Sequence, residues 1–114
     1  YYMNNNINDK TGKVVKLFDF DKIQNKLNED HNSQLVVRNR RDGDIFKPLN
    51  SRGTKKLKEY FIDNKIPKNQ RDLFPLIAIN KEIIWIIGNK TSDNYKVTDN
   101  TKTVLMITYI PETH

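Results

Sequence analysis

Residues 76–87 read LIAINKEIIWII, which is the most apolar stretch of the chain. Two β-type runs, Leu76–Ile79 and 82–87, flank Asn80 and Lys81, a polar pair that suits the turn of a β-hairpin. Because the second run has almost no polar alternation, it predicts a central strand that is covered on both faces. Trp85 is then expected in the hydrophobic core rather than on a surface that stacks bases.

Further strands are predicted on either side of this hairpin. β-branched and aromatic residues gather at 12–23, 34–39 and 103–110, and in the first of these runs Asp19 and Asp21 share one face. Residues 88–100 are polar and predict a loop. The Asn-rich residues 1–11 predict a flexible lead-in or linker, so that 12–114 form one domain.

One principal helix is predicted between these strands. Thr54 can cap it, and Leu57 and Phe61 then fall at helical spacing. The helix should end before Pro67, since the residue before a proline is disfavoured in helical geometry, and a short second helix is expected at 68–73. The resulting order of elements predicts an α+β domain: a mainly antiparallel β-sheet or compact β-sandwich with one principal helix packed on it.

The composition excludes several classes of protein. Of 114 residues, 36% are hydrophobic and 30% charged, which leaves enough apolar side chains for one modest core. The absence of cysteine excludes disulfides, thiolate metal sites and cysteine catalysis. No apolar run approaches the roughly 20 residues that span a bilayer. We expect a cytoplasmic protein that does not contact a membrane.

Positive charge is concentrated in one segment. The net charge is +6, and residues 38–71 contain 11 basic and 4 acidic side chains, so the rest of the chain is close to neutral. Such a segment suits a polyanion, because each neutralised phosphate releases condensed counterions. An evenly solvated basic surface is the alternative interpretation.

The sequence contains no set of residues with the types and spacing of a catalytic site. The four glycines are too widely spaced for a phosphate-binding loop, and the histidines, His31 and His114, lie in a polar turn and at the last position. Asp19 with Asp21, and Asp42 with Asp44, have a spacing that suits a hard cation, but further oxygen ligands are missing. We expect the first pair to bind nearby cations and the second to shape a turn. The pattern favours a binding module over an enzyme.

Short motifs follow one another in a characteristic order between residues 37 and 107. They are VRNRRDGD at 37–44, KKLK at 55–58, DNKIP at 63–67, RD at 71–72, PL at 75–76, then Trp85, Gly88 and SD at 92–93. This ordered set resembles the C-terminal domain of the tRNA(Ile)-lysidine synthetase family, and FDFDK at 18–22 resembles the segment that enters that domain. Asp42 is a departure, because family members more often carry proline before Gly-Asp.

The resemblance implies a role in a larger enzyme. In that family a separate N-terminal catalytic domain uses ATP, with magnesium, to join lysine to the wobble cytidine of tRNA(Ile). The C-terminal domain would hold the tRNA, principally its acceptor stem, and would itself need no cofactor. The implied partners are tRNA(Ile), the N-terminal catalytic domain and, in a homodimer, a second copy of the chain.

Arginine and lysine suit this role because proteins read an A-form stem mainly through its phosphates, hydroxyls and shape. The candidate RNA-binding residues are Arg38, Arg40, Arg41, Arg52, Lys55, Lys56, Lys58 and Arg71. Arg40 and Arg71 are alternatively predicted to fasten turns by binding Asp44 and Asp63. Two other classes stay open: a protein-interaction module related to phenylalanyl-tRNA synthetase domains, and a small stand-alone enzyme.

Overall fold

The structure, a computed structural model, describes residues 12–111. The lead-in predicted at 1–11 therefore lies outside the described residues. The strands are β1 (Val14–Asp19), β2 (Leu35–Arg38), β3 (Ile45–Phe46), β4 (Lys55–Lys56), β5 (Leu76–Ile79), β6 (Glu82–Ile86), β7 (Lys90–Thr91) and β8 (Val104–Tyr109). The helices are α1 (Phe20–Asn28), α2 (Leu57–Asp63) and α3 (Lys68–Arg71), with a 3₁₀ turn at Asp93–Tyr95.

The hairpin of β5 and β6 lies at the centre of a six-stranded sheet. The strand order is β2-β5-β6-β3-β4, and β7 also pairs with β6. All pairings are antiparallel except that of β3 with β6, where Ile45 faces Glu82. Asn80, in the turn, has a φ of 53°, a left-handed conformation that asparagine tolerates. The predicted hairpin is confirmed.

This central hairpin has a hydrophobic cluster on each face. One cluster contains Phe18 of β1 and Ile23 of α1 and includes Trp85, which is fully buried and lies 5.9 Å from Phe18 between ring centroids. The other includes Phe46 of β3 and Phe61 of α2. The predictions of a doubly covered strand and a core tryptophan are confirmed. Trp85 Nε1 has no acceptor among residues 12–111.

The strands β1 and β8 form a separate antiparallel ribbon. Leu105, Ile107 and Tyr109 alternate along β8 and pack against the cluster that contains Trp85. The intervening residues face outward, and the side of the ribbon that carries Val104 and Met106 is exposed. The ribbon and α1 therefore cover one face of the central sheet, while α2 covers the other.

The prediction of a single strand over 12–23 is wrong in its second half. The strand ends at Asp19, whose carboxylate accepts a hydrogen bond from Lys22 N (3.1 Å) and so caps α1. The other oxygen of Asp19 accepts from the Thr101 hydroxyl (2.8 Å), and Asp21 accepts from Lys102 N (2.8 Å). The two carboxylates thus fasten α1 to the turn before β8, instead of sharing a strand face or pairing with cations.

The predicted principal helix is shorter than expected. It begins at Leu57 rather than after a Thr54 cap, because residues 55 and 56 pair with β3 as an edge strand. Its end at Asp63, ahead of Pro67, and the short α3 are as predicted. Within 88–100, predicted as a loop, β7 and the 3₁₀ turn are ordered.

The α+β fold class, with mostly antiparallel strands, is confirmed. Its longest helix among the described residues is α1, which was not predicted. No helix in residues 12–111 has the length and apolar character needed to cross a bilayer.

Candidate nucleic-acid interface

The turn that follows β2 is held by a buried ion pair. Arg38 donates from its two terminal nitrogens to Asp44 Oδ2 (2.9 Å) and Oδ1 (2.7 Å), and the two side chains are 8% and 1% exposed. Arg38 also donates to the carbonyls of Asn39 and Asn80. Asp44 additionally accepts from Arg41 N at 2.8 Å. These bonds close the turn over residues 39–44 and fix it to the β5–β6 hairpin.

The same turn meets the start of α2, because Leu57 N donates to Asp44 O at 2.9 Å. Between them lies a groove of about 610 Å³, and its floor carries the buried Asp44 carboxylate already neutralised by Arg38. The lining residues are Arg40, Arg41, Asp42, Gly43, Asp44, Lys56, Leu57, Lys58 and Asp72. Four cations from two separate segments therefore surround one concavity.

Three of these cations keep their charge available. Arg41, Lys56 and Lys58 are exposed, and none of them forms an ion pair within residues 12–111. Arg40 instead donates from Nε to Asp72 Oδ1 at 2.6 Å. Asp42 also lines the groove, exposed and likewise outside the ion pairs of residues 12–111. Three unpaired cations against this one carboxylate leave the groove a net positive charge, which suits the phosphates of a nucleic acid.

The other predicted cations lie outside the groove. Arg38 lies beneath it, with a side chain that is 8% exposed and bonded to Asp44 and to the carbonyls of Asn39 and Asn80, and its contact with RNA stays a prediction. Lys55 points away from Lys56 on the edge strand and forms an ion pair with Asp63 (3.2 Å). Arg71 donates to the Ile66 carbonyl at 2.8 Å and so fastens the loop before α3. Arg52 is exposed in a turn and does not line the groove.

The alternative pairings proposed for turn residues need correction as well. Asp44 binds Arg38 rather than Arg40, and Asp63 binds Lys55 rather than Arg71. In each case the fold, and not the spacing along the chain, decides which cation meets the carboxylate. The turn-shaping role predicted for Asp44 is confirmed by its hydrogen bond from Arg41 N.

Sequence reasoning missed one cation beside the groove. A methyl group at the Cβ position of Gly43 would stand 3.2 Å from Lys81 Nζ, so the Lys81 side chain crosses directly over this glycine. Lys81 lies outside the basic segment and was assigned only to a hairpin turn. Its proximity depends on the bond from Ile45 N to Lys81 O (2.8 Å), a long-range contact without a local signal.

A second polar cluster lies on the opposite face and is structural. Glu82 accepts from the Tyr95 hydroxyl (2.6 Å) and from Asn94 (2.9 Å), and Lys26 of α1 lies 3.9 Å away. Burial, followed by the hydrogen bond to Glu82, raises the pKa of Tyr95. These contacts hold α1 against the 3₁₀ turn. No group of three or more His, Asp or Glu side chains within residues 12–111 is placed to hold a metal ion.

The loop before β8 is fastened by Asp93. Its carboxylate binds Lys96 (2.9 Å) and Lys47 (3.4 Å) and accepts from Asn50 N (3.0 Å). The hydrogen bond from Lys96, followed by that from Asn50 N, lowers the pKa of Asp93 to about 2. Ser92 accepts a hydrogen bond from Asn94 N (3.1 Å) and so caps the 3₁₀ turn. In the Ser-Asp motif at 92–93, the serine is therefore a cap and the aspartate an anchor.

Residues 35–108 match the family described as "TilS substrate C-terminal domain". The chain belongs to this family. It is 50% identical over 101 residues to the tRNA(Ile)-lysidine synthase of Caldanaerobacter subterraneus, an alignment that covers 89% of this chain and 20% of that protein. The tRNA(Ile)-lysidine synthase of Clostridium tetani is 48% identical over 93 residues, covering 82% and 18%.

A solved structure described as the TILS C-terminal domain shares the fold. The TM-score is 0.52 at 23% identity, with 89% of this chain and 85% of that chain covered. The chain spans about a fifth of the length of the tRNA(Ile)-lysidine synthases it matches. The predicted resemblance to this family is confirmed.

Proposed function

We propose that this TilS C-terminal domain binds tRNA(Ile) through the basic groove and holds its acceptor stem for a full-length tRNA(Ile)-lysidine synthase. The observation that carries the proposal is the convergence of Arg40, Arg41, Lys56 and Lys58 on one groove. Family membership supplies the partner, because the relatives are named for tRNA(Ile).

The groove is suited to a sugar-phosphate backbone rather than to base edges. An A-form stem hides its major-groove base edges in a deep, narrow groove, whereas its phosphates are accessible on the outside. Arg41 can contact a phosphate through two nitrogens, while the lysines act as point charges. The turn that carries Arg40 and Arg41 is rigid, since the Arg38–Asp44 pair lies directly beneath it. Less conformational entropy is then lost on binding.

Catalysis is assigned to the part of the enzyme outside this chain. By family membership, the full-length protein ligates lysine to the wobble cytidine with ATP and magnesium, and its catalytic domain is the intramolecular partner of this one. We expect the purified chain alone neither to hydrolyse ATP nor to incorporate lysine into tRNA. Incorporation of radiolabelled lysine by the chain alone would contradict this division of labour.

The decisive experiment measures how tRNA(Ile) affinity depends on salt. Each phosphate contact contributes roughly 0.7 to 0.9 to the slope of log affinity against log salt. The double variant Lys56→Ala/Lys58→Ala should flatten that slope by about 1 to 2 units and weaken binding at low salt. Fluorescence anisotropy with labelled tRNA(Ile) over a salt series gives both quantities.

The matched control is Lys22→Ala/Lys102→Ala. These lysines are equally exposed, but they lie with α1 on the opposite side of the central sheet. The control removes the same net charge, so it should keep the wild-type slope. If both double variants change the slope equally, binding follows net charge rather than the groove. If neither does, the proposed interface is wrong.

No observation favours the alternative of a protein-interaction module of the phenylalanyl-tRNA synthetase kind.

A cytoplasmic location is proposed with the tRNA-binding role, since the substrate is a tRNA. Formation of a homodimer stays a prediction, and sedimentation equilibrium of the chain with and without tRNA(Ile) tests it.

A further inference from the structure

An exposed leucine stands beside the basic groove. The side chain of Leu73 is 73% exposed, the highest value among the large hydrophobic residues exposed in 12–111. It directly follows Asp72, which lines the groove. Single exposed apolar residues are common on protein surfaces, so exposure alone indicates nothing. The backbone around Leu73 provides the further evidence.

The loop that presents Leu73 is fastened on both sides. Asn39 donates from its side-chain amide to the carbonyls of Asp72 (3.0 Å) and Phe74 (3.4 Å), the two neighbours of Leu73. Leu73 N donates to Gln70 O at 3.1 Å. The ring of Phe74 stacks on Phe61 of the core, with centroids 5.7 Å apart and planes 15° apart. Leu73 is therefore held outward by fixed neighbours instead of folding back onto the core.

The same bracing couples Leu73 to the groove cations. Arg40 donates to the Asp72 carboxylate at 2.6 Å, and Arg40 and Asn39 both belong to the turn that the Arg38–Asp44 pair supports. Leu73 is thus braced against the turn that carries Arg41. A phosphate bound in the groove by Arg41 or Lys56 would lie near this exposed apolar side chain. Apolar side chains, leucine among them, pack against the faces of unstacked bases in nucleic-acid complexes, and a cationic groove beside such a side chain can hold the adjoining phosphates.

We propose that Leu73 is a nucleobase-contacting residue that packs on the face of an unpaired base next to phosphates held in the groove. The inference rests on the proposed tRNA-binding function and deepens it. A continuous stem covers its base faces by stacking, but the unpaired nucleotides at the 3′ end of a tRNA offer them. Leu73 would contact the apolar face of the base, which all four bases have. The contact would therefore distinguish an unpaired 3′ end from a continuous duplex, and it would not distinguish one base from another.

The test uses the chain with two RNAs, tRNA(Ile) with its unpaired 3′ nucleotides and the same tRNA without them. Leu73→Ala should weaken binding of the complete tRNA by about fivefold to tenfold, because the apolar surface that the leucine would bury against a base is lost. Its salt slope should stay at the wild-type value, since no charge is removed. For the truncated tRNA, Leu73→Ala and wild type should bind equally.

The control variant is Met106→Ala, which truncates another exposed apolar residue, 61% exposed on the outer side of β8. It should leave both affinities unchanged. The proposal is overturned if Leu73→Ala binds both RNAs like wild type while Lys56→Ala/Lys58→Ala loses affinity, an outcome that leaves the tRNA-binding function intact. It is also overturned if Leu73→Ala weakens both RNAs equally. Failure of the wild-type chain to bind either RNA removes the proposed function and this inference together.

Discussion

Arg38 and Asp44 meet through two parallel hydrogen bonds of 2.9 and 2.7 Å in an almost fully buried pair beneath the basic groove. The pair joins the end of β2 to the turn that carries Arg40 and Arg41. Because both carboxylate oxygens are engaged, Asp44 presents little negative charge to the groove above it. A buried ion pair thus makes an acidic residue compatible with the proposed anion-binding surface.

Arg38→Ala should lower the free energy of unfolding by about 3 kcal/mol, because it leaves the buried Asp44 carboxylate without its partner. Urea denaturation of the variant and the wild type measures this difference. Arg52→Ala is the matched control, since Arg52 is exposed and forms no ion pair within 12–111. It should change stability by less than about 0.5 kcal/mol. A stable Arg38→Ala variant with weakened tRNA binding would instead support the predicted contact of Arg38 with RNA.

The exposed pair of Lys55 and Asp63 should contribute much less. Its atoms are 3.2 Å apart, and the side chains are 36% and 59% exposed, so solvent screens their attraction. Asp63→Ala and Lys55→Ala should each cost less than about 1 kcal/mol, and a double-mutant cycle should give a coupling of roughly 0.2 to 1 kcal/mol. A coupling above this range would show that the pair is shielded, and Asp63 would then be a main anchor of the edge strand.

The sequence was most informative where the signal is local and repeated. The apolar runs of β5 and β6 predicted the central hairpin and the buried Trp85 because burial on both faces leaves no alternation. Pro67 marked the limit of α2 for an equally local reason, its clash with helical geometry. Such features depend on a residue and its near neighbours, and one sequence suffices to identify them.

Features that depend on distant contacts were missed. The change from strand to helix at Asp19 was missed because the apolar alternation runs on through Phe20, although aspartate is a common N-cap residue and Ile23 and Leu27 have helical spacing. Thr101, which binds the Asp19 cap, is far along the chain. The strands β3 and β4 have two residues each, which is too short to show the alternation of apolar and polar residues that predicts a strand. Positive charge located the basic segment, yet it did not separate Arg38, which is buried, from Arg41, which is exposed. That distinction requires knowing which acids the fold brings near.

The contribution of Asp93 to stability should depend on pH. Its pKa is lowered from 3.8 to about 2 by Lys96, Asn50 N and Lys47. A carboxyl group whose pKa is depressed in the folded state stabilises the fold above its unfolded pKa and loses that contribution as the pH falls toward its folded pKa. Asp93→Asn should therefore cost about 1 kcal/mol at pH 7, after allowance for solvent screening, and progressively less between pH 4 and pH 2.

Urea titrations at pH 7, 4 and 3 measure this change for Asp93→Asn. Asp99→Asn serves as the control, because Asp99 is an exposed aspartate in the same loop and forms no ion pair in the described part of the chain. The control should have the same stability as wild type at each pH. A cost for Asp93→Asn that stays constant from pH 7 to pH 3 would mean that the ionised carboxylate is not what fastens the loop.

Lys81 should act as a further cation of the groove although it lies outside the basic segment. Its side chain crosses Gly43, whose φ of 88° is favourable only for glycine, and Ile45 N fixes its carbonyl at 2.8 Å. Lys81→Ala should lower the salt slope of tRNA(Ile) binding by roughly 0.8 and leave stability nearly unchanged, whereas Lys102→Ala should alter neither. Gly43→Ala should cost about 1 to 2 kcal/mol of stability, because an alanine is strained at this φ, and should also displace the Lys81 ammonium. If Lys81→Ala keeps the wild-type slope while Lys56→Ala/Lys58→Ala lowers it, the RNA path runs along α2 and does not reach the β5–β6 turn.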